Sequence, residues 1–264
     1  MTPAPHAANP RPLLVGGAPI ANGRVPVVCV PLVARTAEAI RREAAAVMAK
    51  SPDVLEWRVD HFEGIADAQA VVGLARAVRD VAPGTPLTVT RRSPRERGAA
   101  SPLDDAQAIA LYEAVCAAHC ADFIDYELGN GAANFARVRD AAREHGVGLI
   151  GSFHDFTTTP GVPAIVETFT RAKREGADVA KVAVMPRDPR DVLTLLAATW
   201  QANAALDMPL ISMAMGPLGV LTRVAGSLYG SSLTFAAGVN ASAPGQMPID
   251  ELRQALELFA RASK

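Results

Sequence analysis

Residues 178–185 read Asp178-Val179-Ala180-Lys181-Val182-Ala183-Val184-Met185. A valine-rich apolar run of this length reads as a buried strand. Gly176 stands before it, where a glycine ends a helix, and Asp188-Pro189 follows as N-cap and first helical residue. After Asp178 at its edge, the one charge inside the run is Lys181. Burying an ammonium group without a partner is costly, so the amine is either ion-paired or neutral. A neutral amine is a nucleophile that forms a Schiff base with a carbonyl.

The same grammar repeats in both directions. Strand-like runs fall at 26–33, 54–60, 87–92, 122–128, 147–154, 178–185, 209–215 and 233–238. Helical stretches lie near 36–50, 67–82, 104–119, 132–145, 163–175, 189–204, 217–228 and 248–262. Pro163 and Pro248 suit first turns, and Gly146 suits a helix end. Eight strand–helix units spaced by about 30 residues predict a (β/α)8 TIM barrel. There is no G-x-G-x-x-G or P-loop to favour a doubly wound sheet. Ahead of the first unit, Gly16-Gly17 and Asn22-Gly23 predict an N-terminal β-hairpin closing the bottom of the barrel. Residues 1–10, rich in Pro and Ala, read as a disordered N-terminal tail rather than a signal peptide, and 11–264 as a single catalytic barrel domain.

Strand parity sorts the polar residues. Leu55, Trp57 and Val59 share one face, which must meet the helices, so Glu56, Arg58 and Asp60 point into the barrel. By the same alternation Thr90 pairs with Arg92, Asp125 with Glu127, Ser152 with His154, Lys181 with Ala183 and Met185, and Met213 with Met215. Barrel interiors are ordinarily filled with branched apolar residues, and burying this many charges without functional need is unfavourable. The polar set lies toward the C-terminal strand ends, where barrel active sites are built.

Bulk composition narrows the function classes. Half of the 264 residues are hydrophobic and the formal net charge is −1, with Lys and Arg scattered, so nothing favours nucleic acid or an anionic membrane as partner. No run approaches the roughly 18 apolar residues of a membrane span. Three cysteines fit a reducing, cytoplasmic setting rather than a disulfide framework. Cys116 and Cys120, four apart on an expected helix, read as core residues. A metal site at Glu56, Asp60 and His61 is disfavoured because His61 and Asp60 have opposite parity. His119 and His145 close expected helices and read as structural.

The ordered set of motifs resembles type I 3-dehydroquinate dehydratase. The resemblance runs through Glu56-Trp57-Arg58-Val59-Asp60, Thr90-Arg91-Arg92-Ser93 with Glu96, Asp125-Tyr126-Glu127-Leu128 and Ser152-Phe153-His154-Asp155-Phe156. It continues through Ala180-Lys181-Val182-Ala183-Val184-Met185-Pro186, Ser212-Met213-Ala214-Met215-Gly216 with Arg223, and Ser242-Ala243-Pro244-Gly245-Gln246. It implies a lyase that dehydrates the small molecule 3-dehydroquinate to 3-dehydroshikimate through an imine, without metal or organic cofactor, in the shikimate pathway or quinate catabolism. Carried over by position, it implies Lys181 as the Schiff-base lysine, His154 as general acid/base and Glu96 as the carboxylate that orients it. Glu56, Arg58, Arg92, Arg223, Ser242 and Gln246 would bind substrate. It also implies a homodimer. The chain departs from the family pattern at Arg97-Gly98, where a Gly-Gly pair is common.

The chemistry explains these residue types. Removing a proton beside a ketone is hard, and a protonated imine supplies the electron sink. A histidine near neutrality can take that proton and then help hydroxide leave as water. A guanidinium at Arg223 suits a carboxylate. The main enzymatic rival is a class I aldolase-like barrel, which also uses a strand lysine; many such enzymes bind a sugar phosphate near strands seven and eight, and the 242–246 loop offers no obvious phosphate cluster beyond its backbone amides. A non-catalytic sensor would have no reason to keep Lys181 with His154, and a metal hydrolase would lose activity to a chelator.

Overall fold

The structure, a computed structural model, describes residues 10–262. Residues 1–9, which make up nearly all of the expected tail, lie outside the described residues.

The chain first forms the expected hairpin, β1 (Leu14–Val15) antiparallel to β2 (Ala18–Pro19). Gly16 and Gly17 both take positive φ, which a tight two-residue hairpin turn requires. The hairpin carries Leu13 and Ile20 into an apolar plug with Val27, Val54, Phe123 and Ile150 at the N-terminal end of the barrel. The bottom of the barrel is therefore closed.

Eight parallel strands follow: β3 (Val27–Leu32), β4 (Val54–Arg58), β5 (Leu87–Thr90), β6 (Phe123–Glu127), β7 (Gly148–Asp155), β8 (Val179–Val184), β9 (Leu210–Ala214) and β10 (Leu233–Phe235). They pair in chain order, and β10 returns to pair with β3. The last seam is bridged by Leu210 and Ser231, and the Ser232 N–H donates to the Leu210 carbonyl at 2.7 Å. Around the barrel run α1 (Ala37–Met48), α2 (Ala68–Val81), α3 (Asp105–Ala117), α4 (Ala132–Glu144), α5 (Val162–Glu175), α6 (Pro189–Ala205), α7 (Val220–Ala225) and α8 (Ile249–Ala262). This is the (β/α)8 barrel that the repeat predicts.

Local chemistry sets the element ends. Asp104 and Gln107 form a reciprocal capping box on α3, and Asp188 caps α6 ahead of Pro189. Gly176 ends α5 at a φ of 88°. The parity assignment holds: Leu55, Trp57 and Val59 pack into the layer between strands and helices, while Glu56 turns inward.

Several details differ from expectation. The expected strands 54–60 and 87–92 stop at Arg58 and Thr90, so Asp60 and Arg92 stand just past the strand ends. The helix expected over 217–228 is broken into 3-10 turns at Pro217–Gly219 and Gly226–Tyr229 flanking the short α7. Gly219 explains the first break, because a Cβ there would lie 2.0 Å from the Ala214 carbonyl oxygen. The eighth barrel strand stops at Phe235 rather than running to Gly238. Cys120 lies beyond the end of α3, past a turn at His119 with φ of 48°, so it does not share a helix face with Cys116. Both cysteines are buried and free, as a core role requires.

Candidate active site

Strand register brings the inward polar residues together. Arg58 pairs with Thr90, Thr90 with Asp125, Glu127 with Ser152, and Ser152 with Lys181. Each is a register partner on a neighbouring strand, so the set winds around the upper interior of the barrel. The Lys181 ammonium donates to Asp125 Oδ2 at 2.8 Å and to Glu56 Oε1 at 3.4 Å, and lies 4.6 Å from the centroid of the Phe235 ring. Thr90 Oγ1 donates to the same Glu56 oxygen at 3.0 Å, which fixes that carboxylate.

Arg92 is the hub. Its Nη2 donates to Asp125 Oδ1 at 2.8 Å; its Nη1 donates to Glu127 and Ser152 at 3.0 Å each and reaches Glu96 at 3.4 Å. Although burial opposes it, these carboxylates hold the guanidinium well above its ordinary pKa. Asp125 is likewise driven up by burial but held below the usual carboxylate range by Arg92 and Lys181. Arg92 thus lines the cavity with its terminal nitrogens already engaged. Arg58 is similarly committed, gripping Asp60 through two bonds of 2.9 and 2.8 Å. Asp60 also accepts from the backbone N–H groups of Arg92 and Ala99, so it ties down the loop after β5.

That loop delivers Glu96. Pro94–Glu96 makes one 3-10 turn, Arg97 takes a left-handed φ of 55°, and the Gly98 N–H returns to the Ser93 carbonyl at 2.8 Å. The turn is so tight that a Cβ on Gly98 would lie 1.9 Å from the Arg92 carbonyl oxygen. Glu96 Oε2 then meets His154 Nδ1 at 2.7 Å. Burial, reinforced by Glu127 and Asp125 against the pull of Arg92, pushes Glu96 up to about 8. Burial, with Arg92 and Lys181 beside it, pushes His154 well below its ordinary value. The low-dielectric pocket therefore favours a pair of zero net charge at neutral pH, and the pair loses a proton as pH rises through Glu96's range.

The far wall is the loop after β10. The Ser242 N–H donates to Gln246 Oε1 at 2.7 Å, and Gln246 Nε2 donates to Ser242 Oγ at 3.1 Å. Gly245, at a φ of 78°, packs so closely on Gly216 that a Cβ would lie 2.4 Å from its carbonyl oxygen. Ser242 and Gln246 line the cavity together with Met213, Met215 and Phe235. Arg223 does not line it. That guanidinium lies behind the loop, 1 % exposed, donating to the carbonyls of Pro244 at 3.1 Å and Phe235 at 3.4 Å. Its Nε has no hydrogen-bond partner among the described residues, and burial lowers its pKa to about 10.

A polar interior in a TIM barrel is compatible with several chemistries, and comparison with known proteins decides among families. Residues 28–263 match the family model for type I 3-dehydroquinase. The chain belongs to the type I 3-dehydroquinase family. The chain is 52% identical over 252 residues to a 3-dehydroquinate dehydratase of Albidiferax ferrireducens, covering 96% of each chain. The crystal structure of 3-dehydroquinate dehydratase from Geobacillus kaustophilus superposes with a TM-score of 0.94 at 43% identity, covering 98% of this chain and 100% of that one. A type I relative from Clostridium difficile, solved with covalent modified comenic acid, is 34% identical with a TM-score of 0.90, covering 96% and 99%. The activity class of the chain is that of the family, a hydro-lyase, EC 4.2.1.10.

Sequence reading did not assign roles to Phe156 and Phe235. Phe156 stacks on the His154 ring at 6.3 Å and 20°, and Phe235 faces the Lys181 amine. Phe235 shares inward parity with Leu233 on its strand, so alternation alone could have found it. Phe156 lies just beyond the end of β7, where strand parity no longer predicts direction.

Proposed function

We propose that the enzyme dehydrates 3-dehydroquinate to 3-dehydroshikimate, a step of the shikimate pathway, through a Schiff base on Lys181 with His154 as general acid/base. The observation that carries this reading is the convergence of a buried lysine amine and a Glu96-bound imidazole on one cavity. The covalently modified ligand in the Clostridium difficile relative supports covalent chemistry for the family.

The amine of Lys181, once it gives up a proton, adds to the substrate ketone, and loss of one water leaves the protonated imine. That cation stands where the ammonium stood, beside Asp125 and Glu56, so the existing carboxylates stabilise it. His154 takes the proton from the carbon next to the imine, and the electron pair flows into an enamine. The enamine then expels hydroxide from the following carbon, and His154 returns its proton so that water leaves. Water hydrolyses the conjugated imine and frees Lys181. The balance is one water lost per turnover, and no residue is consumed.

Substrate recognition follows from charge. Three paired cations, Arg58, Arg92 and Lys181, face four carboxylates, Glu56, Asp60, Asp125 and Glu127, beside the neutral Glu96–His154 pair. A substrate carboxylate therefore needs positive charge that is not already spent. Arg223 supplies it: a buried guanidinium with no carboxylate partner among the described residues is stabilised by an anionic ligand. Glu56, Arg58, Arg92, Ser242 and Gln246 address the hydroxyls. Substituting Lys181→Met abolishes turnover in this account, and His154→Ala lowers kcat far more than it weakens ligand binding. A His154→Ala enzyme with equal losses in both would assign His154 to binding instead.

The protein acts in the cytoplasm as a homodimer whose protomer is one catalytic domain over 11–264. Among the described residues no helix is long and apolar enough to cross a membrane. The apolar side chains Leu193, Trp200, Leu218, Leu221, Leu228 and Tyr229, exposed on α6 and the adjoining 217–229 segment, support a self-association face there. Light scattering on the eluting protein tests it: a dimer is expected, and a monomer at micromolar concentration contradicts it.

A further inference from the structure

Arg97 is out of keeping with its backbone. It sits at a φ of 55°, a left-handed conformation that suits glycine and is unfavourable for a side chain of this size. It is exposed, so packing does not hold it there. Its side chain turns to the cavity mouth, where the guanidinium carbon lies 5.4 Å from the centroid of the Phe156 ring. Phe156 in turn lies nearly parallel to His154. The other cavity-lining cations are all committed: Arg58 to Asp60, and Arg92 and Lys181 to Asp125. Among the described residues Arg97 has no carboxylate partner.

We infer that Arg97 is a substrate-positioning residue, a free guanidinium at the mouth that draws in the anionic substrate and guides its entry while its carboxylate passes on to Arg223 and its ketone to Lys181. The inference rests on the reading of the cavity as the site of a carboxylate-bearing ketone. The paired cluster beneath the mouth carries more carboxylates than cations, so an anion approaching it is repelled unless unspent positive charge lies on its path. Arg223 lies behind the 242–246 loop and does not face the opening, whereas Arg97 does. The Phe156 face gives the guanidinium a fixed resting place without neutralising its charge.

Steady-state kinetics on Arg97→Gly, Arg97→Gln and Arg97→Lys test this. Glycine and glutamine are expected to raise KM about tenfold with kcat within about twofold of wild type, and lysine to recover most of the loss. The fall of log kcat/KM with ionic strength should flatten in the two uncharged variants, since the screened attraction is gone. Glycine relieves the left-handed backbone, so its melting temperature should be no lower than that of wild type. Wild-type KM and salt dependence in both uncharged variants would overturn the inference. So would a loss confined to kcat, or a melting temperature several degrees lower in Arg97→Gly, which would assign Arg97 to holding the loop. Borohydride trapping of the wild-type enzyme judges the imine reading separately, because KM and its salt dependence do not require Lys181 to be the nucleophile.

Discussion

Glu96 Oε2 lies 2.7 Å from His154 Nδ1, with both groups driven away from their charged forms by the same buried pocket. In the proposed mechanism the pair acts as one acid/base unit. While it holds its extra proton, Nε2 has no free lone pair for the substrate. Once that proton is lost, Glu96 is a carboxylate accepting from Nδ1–H, and Nε2 becomes a base.

The sign of the pH dependence follows. Glu96 is raised to about 8, so the base-competent form accumulates as pH rises toward that value. The rate kcat/KM is expected to climb with pH and level off near or above 8. In Glu96→Gln no carboxylate ionises, and His154 titrates alone at its lowered pKa. The rising limb then moves to lower pH while kcat falls about a hundredfold. A pH–rate profile of both proteins checks this, and an unmoved limb in the variant would disprove the shared unit.

Two buried arginines should behave in opposite ways. Arg92→Ala strips the partner from Asp125, Glu127 and Glu96, and leaving buried carboxylates unpaired costs about 3–5 kcal/mol. Thermal melting should show that loss together with inactivation. Arg223 bonds only to backbone carbonyls, so Arg223→Ala should lower stability less and act mainly through a raised KM. Equal stability losses in the two variants would contradict the distinction.

Gly98→Ala places a methyl group against the Arg92 carbonyl, so the turn carrying Glu96 must open. Displacing an orienting group by about 1 Å costs on the order of a hundredfold in rate. Assay at saturating substrate should show kcat reduced at least tenfold, with near-native far-UV circular dichroism. Full activity would mean the Glu96 turn is less constrained than its geometry indicates.

At the other end of the barrel, Leu13→Ala should separate stability from catalysis. Leu13 is 1 % exposed in the apolar plug, and truncating a buried leucine costs about 2–5 kcal/mol. Chemical denaturation should report that loss while kcat stays within about twofold, because the plug lies at the opposite end from Lys181. A kcat loss matching the stability loss would couple the hairpin to the site.

Much of this was legible before the structure. Alternation placed Glu56, Asp125, Ser152 and Lys181 inside the barrel because period-two geometry is rigid, and the register then joined them. The Glu96–His154 contact was legible only through resemblance, since Glu96 rides a loop whose path depends on the Gly98 turn. Arg97's left-handed backbone and Arg223's place behind the 242–246 loop were not legible. Both depend on close backbone approaches, at Gly98 and Gly245, that no periodicity records. The broken helix at α7 has the same origin in Gly219.

The central claim is that Lys181 forms the imine. Treating the enzyme with sodium borohydride during turnover of 3-dehydroquinate, followed by peptide mass spectrometry, tests it directly. The account predicts irreversible inactivation and a reduced ligand adduct on the peptide carrying Lys181, absent when substrate is omitted. Continued activity with an unmodified Lys181 would contradict it.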